Sequence, residues 1–558
     1  MKRTMLSPGR RSSGNRLGKP TAVAAIAVVM ALTLAACGSD ESAEDTAEAT
    51  TAESTTAEAT TAEDAPVAGG GEVVIAVAAE PVSMDAWRGF SDAGAPGFRN
   101  TVETLFTLDF NTRELQPVLG TAINVVDDTS VEVTLREGVT FHDGSVLDAD
   151  AVVSNFNYVF AEENAFDLLD FVGAIQAEAT GPNTVKLSTA EPDPLLPVKL
   201  TFVPISSAQQ LNDSPDRYST ELIGTGPYIF DEWQRGIGIS YSLYEDWWGF
   251  DAGMTDMSTP PFQTARYEFR SEDAVRASMV AAGEAQLAQF VSPDECAVLA
   301  AGADTKCETA PSVETIFIRM DTNGTLFSDK RVREALNLAV DSEGIATNLM
   351  GGSVVPSGQI VNSTAAGHSD ALQPYPYDPE KAKALLQEAA ADGVPVDVEV
   401  PLAVRDGVFA QSNEVVQAVS NMLNEVGFNT KIQVVDPEAF GKLALVNIKD
   451  IPEDRNLVFV HGHGQELLDF SISYGYYYSC DGILSAYCNE EAEALYQAAL
   501  PLTGTERAAA LAELNEFAYA DHAMGYIGHQ DLAYGLAANL VWTPTLDHRL
   551  LAIQMRQS

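Results

Sequence analysis

The stretch Ser130-Val131-Glu132-Val133-Thr134-Leu135-Arg136-Glu137-Gly138-Val139-Thr140-Phe141-His142-Asp143-Gly144 and the segment Asp148 to Phe160 after it decide how this chain is read. Val131, Val133 and Leu135 alternate with Glu132 and Thr134, the period of a strand with one buried face. Arg136-Glu137-Gly138 closes that strand in a turn, Phe141 is placed to pack back, and Asp143-Gly144 supplies a second tight turn. Asp148 then reads as the N-cap of a helix whose apolar residues Ala151, Val152, Phe156 and Val159 share one face.

The same alternation of periods continues in both directions. Val73 to Val77 reads as an opening strand, and Val394 to Pro401, Asn429 to Val435 and Asn456 to Val460 as later ones. Asp329 to Val340, Asp378 to Ala391 and Gln411 to Val426 read as helices, the second with Pro379 in its first turn and the third ended by Gly427. Interleaved strands and helices give an α/β, or mixed α+β, fold.

The chain has 558 residues, 46% of them hydrophobic, so it can bury the core of two or three lobes. With 32 Lys and Arg against 80 Asp and Glu its net charge is −48, and such a surface repels nucleic acid and anionic headgroups. The N-terminus is different: Lys2, Arg3, Arg10, Arg11, Arg16 and Lys19 precede the apolar run Thr21 to Ala36, too short to span a bilayer. Leu34-Ala35-Ala36-Cys37-Gly38 resembles a bacterial lipoprotein lipobox, which implies cleavage of residues 1–36 and lipidation of Cys37. General secretion suits it better than twin-arginine export, because Ser12 and Ser13 follow Arg10-Arg11. Residues 37–71 include the pentapeptides TAEAT, TAEST, TAEAT and TAEDA and end in Gly69-Gly70-Gly71, an acidic flexible tether. Cleavage would leave 26 bases against 80 acids, a net of −54. Of the five cysteines, Cys296 with Cys307 and Cys480 with Cys488 are close enough in sequence to staple short loops in an oxidising compartment.

Four blocks, in order, make the chain resemble one family: the extracytoplasmic solute-binding proteins of ABC importers of the oligopeptide, dipeptide and nickel class, family 5. They are the opening stretch with Ala149-Asp150-Ala151-Val152; Ile223-Gly224-Thr225-Gly226-Pro227-Tyr228; Arg331-Val332-Arg333-Glu334-Ala335-Leu336-Asn337-Leu338-Ala339-Val340-Asp341; and Tyr377-Asp378-Pro379-Glu380-Lys381-Ala382-Lys383-Ala384-Leu385-Leu386. Gly224 and Gly226 are expected to permit unusual backbone angles where the chain recrosses between lobes. The resemblance implies a three-lobed, Venus-flytrap periplasmic-binding-protein fold of type II. Lobe I would comprise 72–105, 223–311 and 521–558, lobe II the insertion 106–222, and lobe III 312–520. It further implies a monomer that takes a small solute, most simply a peptide, into a cleft between lobes I and III and passes it to a permease. No cofactor is implied, and the membrane is reached through the lipid anchor alone, on the extracytoplasmic face. A nickel or other metal chelate, an oligosaccharide or an opine is the alternative cargo.

Within that family the cleft is reached by the loop Met84-Asp85-Ala86-Trp87-Arg88, the region of Arg405, and His461 to Tyr478. Trp87, Tyr474 and Tyr476 would offer amphipathic walls, the tyrosines being read as alternating residues of a strand. Peptide binders set a carboxylate against the ligand ammonium in the loop matching Gly464 to Phe470, where Glu466 falls near the ammonium-binding acid. His463 or Gly464 stands in place of the usual tryptophan, and Asp469, without its usual proline, is either a ligand contact or a helix cap. His461 and His463 together would be a two-ligand metal grip, a poor one because alternate residues at a strand end are expected to face opposite sides. A hydrolytic enzyme is the remaining alternative, but HExxH, GxSxG and Walker patterns are absent. Adjacent His142 and Asp143 in a turn are expected to point apart rather than form a catalytic pair. If Cys37 carries the lipid, Cys37→Ala should move the protein from the membrane fraction to the soluble one; unchanged fractionation contradicts the lipobox.

Overall fold

Two strands of 16 and 14 residues, Thr305–Met320 and Met524–Ala537, lie antiparallel along their whole length at the centre of the molecule. The computed structural model describes residues 70–558 apart from 82, 88–97, 162–163, 165–166, 215–216, 256 and 447. The signal segment, Cys37, nearly all of the tether and Arg88 therefore lie outside the described residues.

The two long strands belong to an 11-stranded sheet. On one side Met524–Ala537 pairs with Leu287–Ala288, and beyond it come Glu72–Val77, Thr264–Phe269, Gly238–Leu243 and Tyr228–Gln234. On the other, Thr305–Met320 pairs with Val458–Gly464, followed by Glu399–Arg405 and Asn429–Val435. A separate four-stranded sheet, Gly120–Asp127, Ser130–Leu135, Thr184–Ser188 and Gln176–Gly181, holds the opening stretch of the sequence. Val131, Val133 and Leu135 face inward and are buried, and they join one apolar core with Val73, Ile75, Tyr267 and Trp542. A second core, under Val458 and Val460, gathers the helices Lys330–Ala339, Pro379–Ala391 and Ser412–Val426.

The helix caps follow the sequence. Asp148 accepts the amide N–H of Ala151 at 2.8 Å, Asp329 that of Arg331 at 2.9 Å and Asp378 that of Lys381 at 3.0 Å. Gly427 ends Ser412–Val426 at φ +116°, a left-handed conformation suited to glycine. Two expected strands lie elsewhere: Val394 to Pro401 becomes Glu399–Arg405, and Asn456 to Val460 becomes Val458–Gly464. Tyr474 and Tyr476 stand on a helix, Phe470–Tyr477, instead of a strand, because Asp469 caps Ser471 at 3.0 Å and overrides the strand preference of aromatic residues. Met524 and Tyr526 pack with the helices Glu490–Ala499 and Gly504–Ala520, whereas Tyr534 and Leu536 pack in the core of the opening strand, so one strand serves both sides.

The first two sequence blocks meet in space. His142 Nε2 lies 2.8 Å from Gly226 O, and its ring packs edge-on to Tyr244 at 4.9 Å. Asp143 turns instead to Ser145 and Ser207, so the two neighbours point apart as expected. Gly224 and Gly226 have ordinary backbone angles; what they provide is space. A Cβ at Gly224 would run into Thr101 O, and one at Gly226 would stand 2.5 Å from Asn100 O. The chain joins Cys296 to Cys307 and Cys480 to Cys488. Gly226→Ala is expected to lower stability by about 1–3 kcal/mol in urea unfolding. Gly71→Ala, where nothing lies within 4 Å, should leave the midpoint unchanged.

Candidate functional site

A cavity of about 1470 Å³ opens where the two long strands exchange sides. Its floor is Ala310, Pro311 and Ser312 of one strand and His529, Gln530 and Asp531 of the other, beside the register shift between Pro311 and Thr315. Arg99, Glu103 and Trp247, and Gln359, Asn362 and His368, also line it. The C-terminal stretch from Val541 to Asp547, with Arg549, completes the lining. The volume exceeds the roughly 300–1,000 Å³ of a pocket for a drug-sized molecule.

Charge on these walls is held unevenly. Glu103 accepts from Trp248 Nε1 at 2.8 Å, Trp247 Nε1 at 3.2 Å and Thr225 Oγ1 at 2.8 Å, and burial pushes its carboxyl up to about 7 against those donors. Arg549 is ion-paired with Asp547 and donates to Thr107 Oγ1 at 3.0 Å. Arg99 is held down to about 9 by burial and by Arg549 nearby. Behind this wall, Glu314 lies 3.6 Å from His548, and burial followed by the Glu314 charge pushes Glu466 up to about 7. Burial works against His548 as a cation, yet Glu314 holds it above its ordinary value.

None of the seven side chains singled out from sequence lines this cavity. Trp87 is fully buried, stacked on Tyr218 at 5.1 Å and donating to Pro204 O at 3.1 Å, so its indole presents no face to a ligand here. Tyr474 is buried against Tyr478 and Tyr496, and Tyr476 is half-buried on the same helix. Arg405 ends its strand with the guanidinium 5.5 Å from the ring of Phe440. Asp469 takes two bonds from Arg507, at 2.8 and 3.0 Å, besides its cap, which is the helix-cap alternative. His461 is enclosed by Phe317, Phe440, Phe459 and Tyr477, and burial pushes it down to about 3. His463 contacts Ser473 Oγ at 2.8 Å and, also through burial, is pushed down to about 4. The expectation that these two imidazoles face apart fails: residues two apart on a strand share a face, and both rings lie against Tyr477. Among the described residues no group of three or more His, Cys, Asp and Glu is placed to hold a metal ion.

Glu466 does not line the cavity either, though it acts electrostatically on a residue that does. Its charge is felt by Arg99, which lines the wall, and by His548, which sits between the wall residues Asp547 and Arg549. Sequence reasoning missed Arg99, Glu103, Trp247 and the C-terminal stretch. The signal available was a run of Trp542-Thr543-Pro544-Thr545 and then Asp547-His548-Arg549 in a chain poor in bases.

With two long strands shared between two cores and a cavity beside them, the molecule has the architecture of a multi-lobed periplasmic binding protein. The sequence profile of the bacterial extracellular solute-binding proteins, family 5, matches residues 114–484, well over half of the chain, and the protein belongs to that family. The family consists of transport proteins that deliver solutes to ABC importer permeases; it is not an enzyme family. Among curated relatives, glutathione-binding protein GsiB of Salmonella paratyphi A is 25% identical over 371 residues, covering 65% of this chain and 70% of its own. Among solved structures, the periplasmic binding protein DppA of Helicobacter pylori in complex with peptide STSA superposes with a TM-score of 0.74 at 19% identity, covering 88% of this chain and 98% of its own. AgaA of A. tumefacien R10 in complex with agropinic acid gives 0.73 at 20% identity, covering 88% and 99%. At those identities the structures establish the fold alone. Among the described residues no helix is long and apolar enough to cross a membrane.

The pair Asp469–Arg507 supplies a test of structural role. Both are buried, so Arg507→Met should strand a carboxylate and cost about 3–5 kcal/mol in urea unfolding. A loss much smaller than this would return Asp469 to the list of free site residues.

Proposed function

We propose that this protein is the substrate receptor of an ABC importer, lipid-anchored at Cys37 on the outer face of the cell membrane, and that its cargo is a short peptide with a free α-ammonium. The observation that carries the reading is the cavity of about 1470 Å³ at the crossing of the two long strands, whose walls bear both signs of charge. An apolar or singly charged ligand would leave one sign desolvated and unpaired, which is costly. A zwitterion answers both. The relative named for binding glutathione and the neighbour holding the peptide STSA support a peptide over a sugar.

In this reading lobes I and III, hinged on the crossing strands, close on the peptide, and the monomer delivers it to the permease. Glu466 is the ammonium partner. An entering ammonium relieves the repulsion by Glu314 and the isolation that together hold its carboxyl near 7. The tether of residues 37–71 gives the folded body reach above the membrane.

A thermal-shift screen of di- to pentapeptides, glutathione, nickel chelates, oligosaccharides and opines is expected to stabilise the protein with peptides, by about 2.7 kcal/mol at a hundredfold excess over Kd. Stabilisation by sugars or chelates alone overturns the peptide reading. Glu466→Gln should weaken free peptides by roughly thirtyfold, about 2 kcal/mol, and leave N-acetylated ones unchanged. The pH dependence has a definite sign. Below about 7 the carboxyl is neutral and gives the ammonium no counter-charge, so affinity of the wild type should rise between pH 5 and pH 8 and that of Glu466→Gln should not.

A further inference from the structure

Among the described residues the cavity is lined by five acids and two arginines, so its own charge is negative. Four of those acids are engaged. Asp547 pairs with Arg549, Glu103 accepts from Trp247, Trp248 and Thr225, Asp109 accepts the amides of Asn111 and Thr112 at 2.8 and 3.1 Å, and Asp370 lies 3.6 Å from His368 Nδ1. Asp531 is different. Among the described residues no N–H, hydroxyl or cation stands within bonding distance of its carboxylate, and burial, with no donor to oppose it, pushes the group above the usual carboxylate range.

His529 stands two residues before Asp531 on the same long strand, which here pairs regularly with Val354–Pro356, Val354 opposite Gln530 and Val355 opposite His529. Residues two apart on a strand share a face at a spacing of about 7 Å, so imidazole and carboxylate rise together from the cavity floor. The tautomer of His529 follows from its partner. Thr315 gives its one hydroxyl proton to Ile360 O at 2.8 Å, so towards His529 Nδ1, also 2.8 Å away, the threonine oxygen can only accept. Nδ1 therefore carries the ring proton. Burial holds the imidazole down to about 4, which keeps it neutral near pH 7, and Nε2 is left as an acceptor to which none of the described residues donates.

We propose that His529 and Asp531 form a receptor for a guanidinium group on the cargo, with two N–H groups of its planar fork on the Asp531 carboxylate and a third on His529 Nε2. The pair offers acceptors and no donor, which suits a group that only donates. An ammonium donates from one nitrogen and suits acceptors that converge on a point, whereas a guanidinium spreads its donors over three nitrogens and spans acceptors set side by side along a strand. A cation at this place also offsets the excess of acids over arginines in the lining. The proposal rests on the peptide reading and adds to it the side chain such a peptide carries, that of arginine.

Calorimetric titration with alanylarginine, alanylcitrulline and alanyllysine tests it. Citrulline has the length and planar end of arginine but a neutral urea in place of the guanidinium, and lysine has the charge without the fork. The wild type is expected to bind alanylarginine at least about tenfold more tightly than alanylcitrulline, with alanyllysine between them. Asp531→Asn should remove that preference, weakening alanylarginine at least about tenfold and alanylcitrulline by less than about threefold. His529→Phe keeps a flat ring without Nε2 and should weaken alanylarginine at least about threefold; no loss there takes His529 out of the receptor. Equal or tighter binding of alanylcitrulline by the wild type overturns the floor receptor and leaves the peptide reading standing. Alanyllysine binding as tightly as alanylarginine overturns the guanidinium assignment. Binding of none of the three overturns both the receptor and the peptide reading. The wild-type comparison needs no substitution, so a variant that failed to fold would not affect it.

Discussion

The antiparallel pairing of Thr305–Met320 with Met524–Ala537 is the constraint on which the rest of the molecule hangs. Each strand is too long to belong to one core. Ile316, Ile318 and Ile527 pack beneath the helices on one side, while Tyr534 and Leu536 join the core of the opening strand on the other. The ladder is interrupted by a register shift between Pro311 and Thr315, where proline has no amide to donate. Gly528 adds close approach: a Cβ there would meet the carbonyl of Val355. The cavity lies beside this register shift, with Ala310, Pro311 and Ser312 of one strand and His529, Gln530 and Asp531 of the other in its lining.

The scarce cations are placed with equal economy. Arg276, Arg319, Arg333 and Arg507 are all buried in a chain with 32 bases. Arg276 donates to the carbonyls of Arg270, Ser271, Gln289 and Phe290, and Arg333 ties the start of helix Lys330–Ala339 to Asp521, just before the second long strand. These guanidiniums satisfy backbone oxygens that the turns leave unpaired. The surface keeps its acidic excess, and the few buried bases hold segments that are distant in sequence.

The profile match ends at residue 484, before the second long strand and before the C-terminal stretch from Val541 to Arg549 that closes the cavity. Solved structures that hold a peptide and agropinic acid superpose about equally well. What those structures share with this chain is the fold; Arg99, Asn362 and Asp547 are side chains with which this chain lines its own cavity.

The sequence by itself determined what depends on near neighbours. The strand Ser130–Leu135, the caps at Asp148, Asp329 and Asp378, and the end at Gly427 are each set by residues within a turn or two, where period and capping chemistry act. The four blocks pointed to the fold class through a family resemblance instead, and the first two of them meet in space, with His142 Nε2 2.8 Å from Gly226 O. The cavity was decided only by tertiary structure. Arg99, Glu103, Gln359, Asn362 and Asp547 lie up to 448 positions apart and carry no local pattern. Trp87 and Tyr474, which looked like walls because aromatic residues suit both cores and clefts, became core once neighbouring elements covered them. Burial is a property of what packs against a side chain, and for these residues that partner comes from elsewhere in the chain.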